Sequence, residues 1–374
     1  MRLRNPQNSY DSQAPHAART PRSSLGRTVL AATAVLALTG SIAAPASAAP
    51  AATGRADAAI VGQGDPSPYT GVERLAGDAT DDPAADQAAQ DSWTPEEMRA
   101  AIPMDRKIAD QPQPAGDATP NGSADAEAAS GPIDQASAGP AEAAAPQTQD
   151  GVVSPRGSWP SSGVPTVGAI FFKIGLTNWR CTGTVINTAS KNIIATAGHC
   201  IFKYVPMPSG VFVPGYRDGQ SPYGKWSVKS RWIDTTWKKN RNPDYDYGFL
   251  VLKDQRGRRV QDVTGGNGWR TNAPYFNYVE ITGYPGNRNT PLQCITSTRQ
   301  LKKYAWHVEF PCDGFANGVS GSLLMENFNN GSQLGTAIAS LGGVDDGGKS
   351  DNVSSAVLWN SRTAALLNAA VRGQ

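Results

Sequence analysis

Residues 167–196 read VGAIFFKIGLTNWRCTGTVINTASKNIIAT. Three β-prone runs, VGAIFFKI (167–174), RCTGTVI (180–186) and NIIATAG (192–198), follow one another with only Gly, Asn and Ser-rich turns between them. Runs of this length, rich in Val, Ile, Phe and Thr and bounded by turn residues, are strands of a sheet built from short connections. The pattern continues through VFVPGY (211–216), KWSVKSRWI (225–233), YGFLVLK (247–253), YVEITGY (278–284), AWHVEF (305–310), SGSLLM (320–325) and LGTAIASLGG (334–343). No helical periods alternate with these runs, so a parallel α/β sheet is excluded and an all-β sandwich or barrel is expected. Only the end departs. In SSAVLWNSRTAALLNAAV (354–371), Val357, Leu358, Ala364, Ala365, Leu367 and Val371 recur at helical spacing, with Gly373 as a stop.

Upstream the composition changes twice. Arg19, Arg22 and Arg27 precede a short apolar run and an Ala-x-Ala pattern, which reads as a signal peptide over 1–48 and as secretion to the extracellular side. Thr33, Thr39, Gly40 and Ser41 interrupt that run, leaving it short of the ~20 apolar residues a membrane span needs, and no membrane association is expected. Residues 49–150 carry 18 acidic and 5 basic side chains, a net of −13, with few aromatics. Low hydrophobicity with charge of one sign is the composition of disorder. One island, SWTPEEMRAAIPMD (92–105), reads as a short helix with Ser92 as cap and Pro95 in the first turn. The chain thus divides into 1–48, an acidic and largely disordered 49–155, and a folded 156–374.

Residues 151–374 hold 24 basic and 13 acidic side chains, a net of +11, and all four cysteines. The basic residues are scattered apart from WKKNR (237–241) and RGRR (256–259), with no nucleic-acid-binding pattern, so they read as a solvated surface. The opposite charge of the acidic segment makes it a candidate partner that folds back on this domain. Four cysteines in an exported chain allow three disulfide pairings. The local ones, Cys181 with Cys200 and Cys294 with Cys312, each close a loop of about 20 residues, worth ~3 kcal/mol on the chain-entropy model. There is no C-x-x-C and no nearby histidine pair, and neither a metal nor a cofactor is expected.

In NGVSGSLL (317–324), Ser320 lies between turn glycines. Turns gather Ser and Gly for backbone reasons, so the octapeptide alone favours a turn. As a nucleophile Ser320 would need a base. Beyond the signal peptide there are two histidines, His199 and His307. His307 in KYAWHVEF reads as a half-buried strand residue. His199 in ATAGHC follows a small-residue strand and abuts Cys200, which suits a position that must be held still. An orienting carboxylate is also required. Asp246 in DYDYGFLVLK stands at the mouth of an apolar strand, where a carboxylate needs a partner; Asp244 is its competitor.

ATAGHC, DYDYGFLVL and NGVSGSLL, in that order, resemble the His, Asp and Ser motifs of the chymotrypsin-like serine peptidases, in their secreted actinobacterial branch. WTPEEMRAA resembles an element often found ahead of that catalytic domain. The resemblance covers roughly 165–374 and implies two antiparallel six-stranded barrels with a C-terminal helix. It implies His199 as general base and acid, Asp246 as its orienting partner and Ser320 as nucleophile, with the Gly318 and Ser320 amides as oxyanion hole. It also implies a Cys181–Cys200 disulfide around the histidine loop and polypeptide substrates that pair along 339–343. Expected substrate contacts are Asp313, Gly314, Phe315, Ser340, Leu341 and Gly342. Residues 49 to about 155 become a pro-segment, cut near Arg156 or before Val167, and the product is taken to be monomeric. Two positions depart from the pattern. Val319 replaces the usual polar residue before the serine, and Leu323 replaces a proline. They motivate a second reading: a peptidase-fold protein of weak or no activity that acts as a binding or adhesion module.

Overall fold

The computed structural model describes residues 71–75, 82–105, 156–203, 206–208, 210–315 and 317–373. The expected signal peptide and most of the acidic segment lie outside the described residues.

Two antiparallel sheets dominate. In the first, the strands Val167–Ile174, Thr177–Ile186, Ile193–Thr196, Gly248–Leu252, Trp226–Asp234 and Gly210–Pro214 pair in a ring and close a six-stranded barrel. Side chains alternate across a strand. Ile170, Phe172 and Phe212 accordingly point into the barrel with Cys181, Cys200 and Trp226. Their neighbours Ala169, Phe171, Val211 and Val213 point outward, yet they are buried too. Their cover is the segment before residue 106, whose Trp93 and Met98 are buried on that outer face, Trp93 with its ring 5.5 Å from that of Phe171. A strand read as apolar without alternation is one buried on both sides, and VGAIFFKI is such a strand.

That segment is more structured than its composition implies. A strand Val72–Leu75 pairs with 231–234 of the barrel, and a helix Pro83–Asp91 follows. The expected helix is present but shorter, Pro95–Ala100. Its cap is Thr94, not Ser92: Thr94 Oγ1 accepts the Glu97 amide at 3.2 Å while Glu97 Oε2 accepts the Thr94 amide at 3.1 Å. Ionic contacts ring the apolar centre. Asp86 takes Lys253 Nζ at 2.7 Å, Glu97 takes Lys173 Nζ at 2.9 Å, and Glu73 pairs with Lys238. Solvent-accessible pairs contribute about 0–1 kcal/mol each and these are partly so, whereas burying a large apolar side chain contributes roughly 1.5–3 kcal/mol. Trp93 and Met98 therefore dominate the docking.

The second sheet is a curled half-barrel. Its main path runs Arg299–Gln300, His307–Pro311, Val353–Leu358, Leu334–Leu341, Leu323–Asn329, Tyr278–Gly283, Leu292–Ser297 and Arg156–Pro160. Cys294 on one flank is bonded to Cys312 on the other, which draws the two flanks together. The C-terminal helix is Ser361–Arg372, capped by Asn360. The helical reading from 354 was too early. Residues 353–358 form a strand between two partners, because their alternating side chains fill both sides of that sheet. Leu366, Leu367 and Ala370 of the helix join Phe249 and Val251 of the barrel and Leu323 and Val357 of the half-barrel in one core between the sheets. Among the described residues no helix is long and apolar enough to cross a membrane.

Candidate active site

The first barrel delivers the histidine. The strand Ile193–Thr196 ends in a single helical turn, Gly198–Ile201, and the bond between Cys181 and Cys200 ties that turn to the neighbouring strand. His199 Nδ1 lies 2.7 Å from Asp246 Oδ2, and the His199 amide donates to Asp246 Oδ1 at 2.6 Å. Two contacts to one carboxylate fix both the position and the rotation of the ring. Asp246 sits just before the strand Gly248–Leu252 and is wholly buried. Burial pushes its carboxyl up, but the opposite charge of His199 and the hydrogen bonds from His199 and Gly343 outweigh this and hold it below the ordinary carboxylate range. The Gly343 amide is a third donor, at 2.6 Å from Oδ2.

Asp244, the competing carboxylate, belongs to the other histidine. Its Oδ1 lies 2.8 Å from His307 Nδ1 and accepts the Trp306 amide at 3.0 Å. His307 is on a strand as expected but fully buried. The two histidines and two aspartates thus sort into separate pairs.

The serine comes from the loop entering the strand Leu323–Asn329. The Ser320 carbonyl accepts the Thr182 amide at 2.9 Å and lies 3.8 Å from Cys200 Sγ, next in sequence to His199. The histidine and serine loops are therefore pinned to one another through the disulfide-bearing strand. Gly318 has φ of 107°, a conformation L side chains avoid, and a β-carbon there would crowd the Tyr284 carbonyl at 2.6 Å. Its amide points into the site, where it donates at 2.7 Å to a carboxylate oxygen. Val319, the departure from the family pattern, is buried with Phe315, Leu324 and Ile338, and Leu323 is buried between the sheets. Apolar packing on both sides of Ser320 anchors the loop.

The expected substrate contacts are placed less simply. Phe315 and Leu341 are core residues of the half-barrel, and Ser340 Oγ accepts Trp359 Nε1 at 2.9 Å. Their side chains face inward, so these positions offer a ligand backbone only. Asp313 is exposed beside Cys312, on a turn. Gly314, at the same turn, has a positive φ of 73° and lies near Leu292. The Gly342 amide donates to Ser355 O at 3.2 Å and the Gly343 amide to Asp246, so the edge expected to pair with substrate is engaged within the chain.

The carboxylate at Gly318 is Asp105, the last residue of the quoted island. Its Oδ2 accepts the Gly318 amide at 2.7 Å and the Ser320 hydroxyl at 2.8 Å. The sequence carries no motif for this; the only signal was that the island ends there.

Among solved structures, the protease Anisep from Arthrobacter nicotinovorans superposes with a TM-score of 0.52 at 26% identity, over 57% of this chain and 99% of that one. The fold is chymotrypsin-like. A thermostable serine protease, AL20, from an extremophilic microorganism gives 0.51 at 24% identity, over 56% of this chain and 98% of that one, which supports the fold. A curated relative, an extracellular metalloprotease of Bacillus subtilis (strain 168), is 25% identical over 170 residues, 44% of this chain. This chain spans about half of that relative's length, 52%. No family model matches the sequence. The chymotrypsin-like architecture accounts for the site's place: one barrel carries His199 and Asp246, the other sheet carries Ser320, and the site lies where they meet. Cys181, His199 and Cys200 group as metal-type donors, but the two sulfurs are bonded to each other, which removes both thiolates.

Proposed function

We propose that this chain is the precursor of an exported serine endopeptidase. Ser320 Oγ attacks the carbonyl carbon of a polypeptide substrate while His199 Nε2 takes its proton. The oxygen of the tetrahedral intermediate is held by the Gly318 and Ser320 amides, where one preorganised donor is worth about 3 kcal/mol. The C–N bond breaks as His199 returns the proton to the leaving amine, giving an acyl-enzyme on Ser320. Water then attacks the ester with His199 again as base, releasing the new carboxylate and restoring the serine. Asp246 holds the imidazole in the tautomer with Nε2 unprotonated and stabilises the imidazolium.

The observation that carries this reading is the doubly bonded His199–Asp246 pair beside a serine loop whose Gly318 amide already grips an oxygen. The buried packing of Val319 and Leu323 weighs against the reading as an inactive binding module. Two disulfides suit the oxidising conditions outside the cytosol, and the opposite charges of the acidic segment and the folded domain suit a pro-segment that stays bound until it is cut. The test is hydrolysis of denatured casein by the processed chain. Wild type is expected to digest it, and Ser320→Ala to lose activity by about 10⁶-fold, the scale of a lost nucleophile. Equal digestion by both would end the proposal.

A further inference from the structure

We propose that Asp105 is a built-in inhibitor of this site: its carboxylate occupies the oxyanion hole and holds the Ser320 hydroxyl until the pro-segment is displaced. This inference rests on the serine-peptidase reading above.

A substrate's carbonyl oxygen must accept the Gly318 N–H for its carbon to come within reach of Ser320 Oγ. That oxygen's place is taken by Asp105 Oδ2, 2.7 Å from the Gly318 nitrogen. The same oxygen accepts the Ser320 hydroxyl proton at 2.8 Å. The nucleophile's proton is thereby directed to a carboxylate and away from the imidazole that would have to remove it. A carboxylate is also a poor electrophile, since its negative charge is shared over both oxygens, so the serine it binds does not attack it. Occupation of the hole and diversion of the proton act together.

The seat around Asp105 is built for it. Asp105 is 4% exposed. A buried carboxylate requires donors and opposite charge, and beyond Gly318 and Ser320 it has the favourable charge of the Arg180 guanidinium, itself 1% exposed. Arg180 is fixed by Asn289 Oδ1, Pro285 O and Arg288 O, each at 2.9 Å. The residues leading to Asp105 are equally held. Ile102–Pro103 pairs in parallel with Trp179 and Arg180. The Met104 amide donates to Arg180 O at 3.1 Å, and Lys203 Nζ donates to Met104 O at 3.1 Å. The Met104 side chain is buried in the barrel core that includes Cys181 and Cys200. Further back, Trp93 and Met98 anchor the segment on the barrel's outer face. Asp105 thus sits on the turn two residues beyond a short strand whose flanking residues are all held. Arg106 and Lys107 follow it in the sequence, so a cut at this basic pair would sever the strand from the catalytic domain that follows.

The experiment compares labelling by a fluorophosphonate on the full chain, read by intact mass on the unprocessed species alone. Wild type, Asp105→Asn and Asp105→Ala are each assayed before and after processing. The asparagine keeps the volume of the aspartate and exchanges only the carboxylate. The unprocessed wild type is expected to label at least about 100-fold more slowly than its processed form, the scale of two lost charge-assisted hydrogen bonds. Unprocessed Asp105→Asn and Asp105→Ala are expected to recover most of that factor, while all processed forms label alike. The inference is overturned if unprocessed wild type labels as fast as the processed form, a comparison that needs no variant. It is also overturned if Asp105→Asn labels no faster than wild type while its processed form labels normally. Absence of labelling in every processed form would instead overturn the peptidase reading, so the two failures are distinct.

Discussion

Asp246→Asn is expected to lower kcat by about 10⁴-fold with little change in KM, the scale found when the orienting carboxylate of such a triad becomes an amide. The reason lies in the three donors Asp246 accepts: the His199 amide, His199 Nδ1 and the Gly343 amide. Two of these are backbone N–H groups that cannot become acceptors. An asparagine must therefore set its NH₂ against the His199 amide, or against the Gly343 amide and His199 Nδ1 together, since these two share Oδ2. In the second arrangement Nδ1 becomes the acceptor and the ring's proton moves to Nε2, where it faces the nucleophile and cannot take its proton. Stability also responds. The Asp246 carboxyl is held below its ordinary range in the folded chain. Its contribution is therefore present above the unfolded carboxylate pKa and is lost as pH falls through the lower, folded value. The variant lacks this contribution at neutral pH and converges on wild type in strong acid. Steady-state kinetics with a peptide ester or amide decide the matter, and a kcat loss under about tenfold would show that another group orients His199.

Gly321→Ala is expected to cost about 4 kcal/mol of stability, at the upper end for one substitution. Gly321 has φ of 87°, and placing an L side chain in that region costs roughly 1–2 kcal/mol on its own. Its β-carbon would also overlap the Thr182 carbonyl oxygen and Thr196 Oγ1, which are hydrogen-bonded to each other at 2.8 Å in the barrel. Neither can withdraw without opening the strand pair on which His199 depends. The clash therefore pushes the serine loop off the barrel, and residual folded protein should also lose activity. Gly157→Ala is the control. A β-carbon there meets only Asp313 Oδ2 at 3.8 Å, and the change should stay within about 0.5 kcal/mol. Thermal or urea unfolding of both variants gives the comparison, and equal stability would refute the steric account.

The parts of this molecule that were legible in its sequence are those where local pattern and tertiary role agree. The strands of the first barrel announce themselves in VGAIFFKI, NIIATAG and YGFLVLK because both their faces are buried. His199 was separable from His307 because one follows a strand beside a cysteine and the other alternates within one. The two carboxylates differ for a physical reason: Asp246 leads directly into an apolar strand and meets His199, whereas Asp244 is two residues back and faces His307. Other features depend on partners far away in sequence. The strand Val72–Leu75 and the helix Pro83–Asp91 lie in an acidic, Ala-rich stretch and are held by the barrel they cover. Residues 353–358 looked like the start of a helix because Val357, Leu358 and Ala364 share its spacing, but pairing with two neighbouring strands overrides that preference. Asp105 was invisible for the same reason. Its meaning comes from Gly318 and Ser320, more than 200 residues away.

The central claim is that Ser320 is a nucleophile activated by His199. Its most direct test is fluorophosphonate labelling of the processed chain followed by peptide mapping. A single adduct on the peptide containing Ser320, abolished in His199→Ala while that variant remains folded, is the predicted result. No adduct, or an adduct that survives the loss of His199 at an unchanged rate, would contradict it.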